Sequence, residues 1–325
     1  MIRLLCHGNG WKRNSTLMKR RRILLLLALT AFVAMAFVVL WPSGPKEPVY
    51  DGKRFTFWIK EAQGIVPRFS QPMPVQRREA ACKAIQSMGT NALPYLLSEL
   101  TRPISQWRIS FNNWADGKRL VPFRFRDEAA RLARAADGLY ILGPDSAAAL
   151  PVLAGLLADE QRGYKAARAM SGAGALAFPY LLAAIDSGID GTNRVTARHA
   201  LSALGDMARD DEAAVRIVAQ FLTHTNGIKR RWAVSHFAGD ESGVESHAEL
   251  VVPALTAALS DPDRGVPLHA ASALGRIGPK AKAAVPELLR LMKQPAHSAA
   301  ASNAVFHIDP SALTARGHST DENSR

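Results

Sequence analysis

Nine histidines and 28 acidic residues are enough to build an acid–base pair or a metal centre, so their spacing matters first. His199, His224, His236, His247, His269, His297 and His307 are scattered along the chain. No two histidines stand four apart and no His-Glu dipeptide occurs, so no helical turn carries a ligand pair. This pattern predicts no metal and no cofactor. Asp210-Asp211-Glu212 and Asp240-Glu241 fall where helices should start or turns run. There, carboxylates accept free N–H groups and oppose the helix dipole. Gly239 to Ser242 lacks the strand and second glycine of a nucleophile elbow, and Gly172-Ala173-Gly174 lacks the lysine of a phosphate loop. Cys6 and Cys82 lie on opposite sides of an apolar run, without metal-ligand spacing, and no disulfide is expected. These residues predict a protein that is not an enzyme.

Binding chemistry is concentrated in one stretch, "TRPISQWRISFNNWADGKRLVPFRFRD" (101–127). Its aromatic and arginine residues are the types enriched at interface hot spots. The candidate partner-binding residues are Trp107, Arg108, Trp114, Arg119, Arg124 and Arg126, with Phe111, Phe123 and Phe125 among them. An irregular segment this long inside a compact array is functional or disordered, and its aromatics argue against disorder. Two readings stay open: a partner- or headgroup-binding insertion, or a cover for the end of the array.

The surrounding elements read as helical hairpins. In "AASALGRIGPKAKAAVPELLRLM" (270–292), Ala270, Ala273, Leu274 and Ile277 share one helical face. Gly278-Pro279 stops that helix, with glycine in a left-handed position, and a second helix starts near Pro286 with Leu288, Leu289 and Met292 on its apolar face. The scheme recurs at 86–100, 140–157, 169–185, 202–222 and 236–259, and 300–313 reads as a degenerate last copy. The closing glycines are Gly89, Gly143, Gly172, Gly205, Gly239 and Gly278. After a first gap of 54 residues, which must hold an insertion at about 101–126, their separations fall between 29 and 39. A hairpin this short cannot bury its own face, so the units must stack.

The run Ala-Leu-Gly-x-Ile-Gly-Pro at 273–279, followed by Ala-Val-Pro-x-Leu at 284–288, resembles a HEAT-type repeat of the bacterial HEAT-like variety over roughly residues 77 to 313. It departs from the pattern at Pro267, where an arginine is usual, and at Asp309, which stands where other copies have glycine. "VYDGKRFTFWIKEA" (49–62) is similar to a lead-in of bacterial membrane-anchored HEAT-repeat proteins of unknown function. The resemblance implies an α-α superhelix that binds proteins. HEAT-like repeats also occur in bilin lyases, which makes such an enzyme the alternative, although no residue here is singled out for it. The missing His-Glu dipeptide argues against the di-iron hydroxylases built on HEAT repeats.

"ILLLLALTAFVAMAFVVL" (23–40) is uncharged and would span ~27 Å as a helix, close to a ~30 Å hydrocarbon core. Lys19 to Arg22 before it and Trp41 after it predict a signal-anchor over Ile23 to Trp41, with the N-terminus in the cytoplasm and the repeats outside. The alternative is cleavage at Ala34-Met35-Ala36, giving a secreted or periplasmic product. Met1 and Met18 both remain possible starts. The formal net charge of +13 invites a nucleic-acid reading. Residues 1–22 hold seven basic residues and no acid, and residues 101–126 hold six against Asp116, which leaves the rest of the chain at +1. No basic stripe crosses the repeats, so no nucleic-acid partner is expected. The expected organisation is a basic flank (1–22), a transmembrane helix (23–41), a lead-in (42–76), a repeat array (77–317) and a polar tail (318–325). The expected function is a non-catalytic, membrane-anchored scaffold, in contact with the bilayer through its first helix and with a protein partner through its repeats.

Overall fold

The computed structural model describes residues 30, 44–64, 74–116, 127–189, 191, 193–239 and 243–313. The chain divides into two compact units, 1–45 and 46–325. The expected membrane helix over Ile23 to Trp41 and the polar tail lie outside the described residues, Thr30 apart.

Among the described residues the second unit is all-α apart from a small hairpin, Val49–Tyr50 (β1) with Lys53–Arg54 (β2). Asp51 and Gly52 both take positive φ (49° and 69°), the backbone a tight two-residue hairpin needs. The lead-in showed no alternation to announce these strands. Helix α1 (Phe55–Ala62) comes next and buries Phe55 and Ile59 in the same core as the first repeat. The lead-in is thus packed continuously with the array.

Paired helices make up the rest. They are α2 (Val75–Met88) with α3 (Leu93–Thr101), then α4 (Gln106–Asp116), then α5 (Glu128–Leu142) with α6 (Leu150–Leu156). The series continues with α7 (Gly163–Gly172) and α8 (Phe178–Ile189), α9 (Arg194–Met207) and α10 (Glu212–Phe221), and α11 (Gly227–Ala238) and α12 (Ala248–Ala258). Helices α13 (Gly265–Ile277), α14 (Val285–Leu291) and α15 (Ser298–Ile308) complete it. Helix α5 packs on α7, α7 on α9, α11 on α13 and α13 on α15, so first helices lie closely against the next one except at the step from α9 to α11. Nearest-neighbour packing of this kind fits an α-solenoid. Leu96, Leu100, Leu139, Leu153, Leu181, Leu255 and Leu288 are fully buried along it, each stabilising the fold by ~2 kcal/mol.

Turn chemistry explains most of the boundaries. Gly89, Gly143 and Gly278 stand just after the first helix of their pairs with φ between 53° and 67°. Their ψ values near −140° put them in a mirror-extended region rather than the left-handed helical one, and only glycine enters it freely. Each opens into a short 3-10 turn, such as Gly278–Ala284, rather than an open loop. Pro286 sits in the first turn of α14 and Pro267 in the first turn of α13, where a missing N–H costs nothing. The apolar run Glu128–Leu156 is long enough by composition to cross a membrane, yet the turn at Gly143 divides it into α5 and α6. Asp211 caps α10 by accepting from the Ala213 N–H at 2.8 Å, as its sequence position predicted. Asp240 and Glu241 lie outside the described residues.

Three of the six expected closing glycines lack positive φ. Gly172 is the last residue of α7, where Gly174 (φ 61°) makes the turn, and Gly239 caps α11 in ordinary extended backbone (φ −75°). Gly205 is inside α9 and closes nothing.

Candidate functional site

The segment expected as an irregular insertion begins with a helix, α4. Its root is held by arginines from the two succeeding pairs. Arg131 donates to the carbonyl oxygens of Glu99 and Arg102, and Arg162 donates to that of Thr101 at 3.0 Å. These are the last carbonyls of α3, which no further helical turn can satisfy. Asp159 in turn holds Arg162 at 2.5 Å, and that hydrogen bond keeps the Asp159 carboxyl below its ordinary range.

On α4, Trp107, Phe111 and Trp114 succeed one another at spacings of four and three, which lines them along one face. Trp107 and Trp114 are each 55% exposed, and Phe111 lies 5.6 Å from Trp114. Ala115, one residue on, is fully buried.

Arg108 is the one expected cation of this set among the described residues. Its guanidinium sits 5.7 Å from the Trp107 ring centroid but is directed to Glu128, 4.0 Å away and also paired with Arg131 at 2.6 Å. Glu128 and Arg131 are both buried, so Arg108 completes a charge cluster beneath α4. On α4 the two tryptophans are half exposed, while Arg108, with a side chain 31% exposed, reaches toward the buried Glu128. Arg119, Arg124 and Arg126 lie outside the described residues.

A second surface was not anticipated. On α11 the rings of Trp232 and His236, one turn apart, stack 5.5 Å from each other and 11° from parallel, and this pair faces Gly205 of α9. Gly205 makes room for it, since a Cβ there would lie 3.2 Å from His236 Nδ1. Beside this pair runs a groove of about 430 Å³, lined by Ile189, Ala197, Leu201, Ile228 and Trp232 and edged by arginines. The signal was present in "GIKRRWAVSHFA": Ile228, Trp232 and His236 at spacings of four, opposite Ala233 and Phe237, give the helix two apolar faces instead of one. Burial, helped by Arg209, pushes His236 down to about 4.

Among the described residues no group of three or more His, Cys, Asp or Glu side chains is placed to hold a metal. His199 is buried with Nδ1 at 2.9 Å from the Leu157 carbonyl oxygen, an architectural contact between α9 and the end of α6.

No family model matches the chain, and no curated protein matches it. Two solved structures of engineered proteins are similar to it. One is 17% identical over 79% of this chain and 80% of its own length, with a TM-score of 0.33. The other is 18% identical over 78% and 97%, with a TM-score of 0.29. Likenesses this shallow say nothing about what the chain does.

Proposed function

We propose that this protein is a membrane-anchored, HEAT-like α-solenoid that acts as a non-catalytic scaffold and binds a protein partner through the aromatic face of α4. The observation that carries the reading is the pair of half-exposed tryptophans on a helix whose root is fixed to two repeats. Large rigid aromatics lose little entropy on binding and bury much area, which is why they dominate interface energies. Residues 23–41 supply the anchor in this reading, and the basic residues before them set its direction.

Two measurements test it. Protease added to intact spheroplasts is expected to digest the repeats while the N-terminal segment stays in the membrane. Full protection of residues 46–325, or recovery of a soluble product lacking residues 1–36, would overturn the anchor.

For the surface, Trp107→Ala with Trp114→Ala in the full-length protein is expected to reduce partner capture from crosslinked membranes by about tenfold or more. Helical content should not change, because both rings already meet solvent. Undiminished capture with a lowered melting temperature would make α4 a cover and remove the proposed surface.

A further inference from the structure

We infer that the groove between α9 and α11 is a second docking site, separate from α4, for a short acidic amphipathic segment of a partner protein. Its floor is apolar: Ile189 from the end of α8, Ala197 and Leu201 from α9, Ile228 and Trp232 from α11. Its rim is cationic. Arg194, Ala197, Arg198 and Leu201 stand at spacings of three, one and three on α9, so two guanidiniums and two apolar side chains share one face. Across the groove, Ile228, Arg231 and Trp232 repeat the same alternation on α11.

Arg194 and Arg198 are exposed and make no ion pair among the described residues, while Arg231 has Asp263 at 3.4 Å. An occupant is therefore expected to carry carboxylates where it passes the rim and apolar side chains where it meets the floor. Arginine pairs with carboxylates through two parallel hydrogen bonds, which gives such a rim directional preference.

The form of the groove favours a peptide over a small molecule. A small-ligand site encloses most of what it binds. This groove is open along one side, so it covers one face of its occupant, as a groove does for the apolar stripe of a helix. Ile228 is 43% exposed and Trp232 partly buried, which leaves both side chains able to gain burial on contact. The Trp232–His236 pair seated over Gly205 acts as the spacer that keeps the groove from closing.

The test uses the full chain in nanodiscs of zwitterionic lipid, with empty discs as reference. The probe is a fluorescein-labelled helical peptide of about 15 residues, leucines at i, i+3, i+4 and i+7 and glutamates between. Saturable binding is expected by anisotropy. Arg194→Glu with Arg198→Glu should weaken it by about tenfold or more, with an unchanged circular dichroism spectrum because both residues are exposed. Trp107→Ala with Trp114→Ala should leave it intact, which separates this outcome from that of the α4 reading. Equal binding by the charge-reversed variant, or equal binding of a peptide with lysine in place of glutamate, would overturn the proposal. So would oleate quenching Trp232 in an arginine-dependent way while the peptide does not bind, since that marks a small-amphiphile site.

Discussion

Gly172→Ala is expected to destabilise the array by about 3 kcal/mol or more, although the change adds one methyl group and removes nothing. Gly172 ends α7 against the C-terminal part of α5. A Cβ there would lie 2.4 Å from Tyr140 Cα and 2.5 Å from its carbonyl oxygen. Those are backbone atoms, so no rotamer change can relieve the overlap and the two helices must separate. A solenoid repeat is stabilised largely by its interfaces with its neighbours, so separation at this point weakens the pairs on both sides.

Gly155→Ala is the control. Its Cβ would meet nothing within 4 Å inside α6, so alanine should stabilise by up to ~1 kcal/mol through helix propensity. Thermal melts of the two variants should move in opposite directions, Gly172→Ala falling by roughly 6 °C or more. A wild-type melting temperature for Gly172→Ala would show that α5 and α7 are not in the close contact described.

The second large effect is acid lability centred on His236. Burial, then the nearby Arg209, pushes this imidazole from 6.5 down to about 4. The folded state keeps His236 neutral through that interval, whereas the unfolded chain takes up a proton near pH 6.5. Stability is therefore fully present above pH 6.5 and is lost progressively as pH falls toward 4, by about 2–3 kcal/mol in total.

The depressed Asp159 carboxyl acts in the same direction, but only below its ordinary value of 3.8, outside this window. His236→Phe preserves a ring against Trp232 and removes the titration. Melting temperatures at pH 7.5 and 5.0 should differ clearly for the wild-type protein and much less for the variant. An equal loss in both proteins would place the acid sensitivity elsewhere.

How much of this was legible beforehand depends on the range of the physics involved. Helix faces, proline starts and the turns at Gly89, Gly143 and Gly278 come from local rules, since periodicity and backbone sterics act within a few residues. The all-α class and the stacking of short pairs could be read in the same way, because a hairpin of alanine and leucine has no means of burying its face alone. The aromatic and basic bias of 101–127 was legible as composition. That its first part is a helix was hidden, because the stripe of Trp107, Phe111 and Trp114 leaves both tryptophans half exposed, where an apolar periodicity is usually read as core.

Other features needed the folded arrangement, for one physical reason: they depend on contacts between residues far apart in the chain. Arg108 and Arg131 come from different helices to the same buried Glu128, and Arg131 also reaches the end of α3. Gly172 and Gly143 look alike in sequence, yet one serves a helix contact with Tyr140 and the other a turn. His236 is one of nine histidines by composition and becomes singular only through Trp232 stacked on it and Gly205 beneath it. Residue order alone dictates which segments are helices and that they must stack, because those rules act over a few residues. Which side chains meet across the stack, and so where its open surfaces lie, is set by helices brought together from distant parts of the chain.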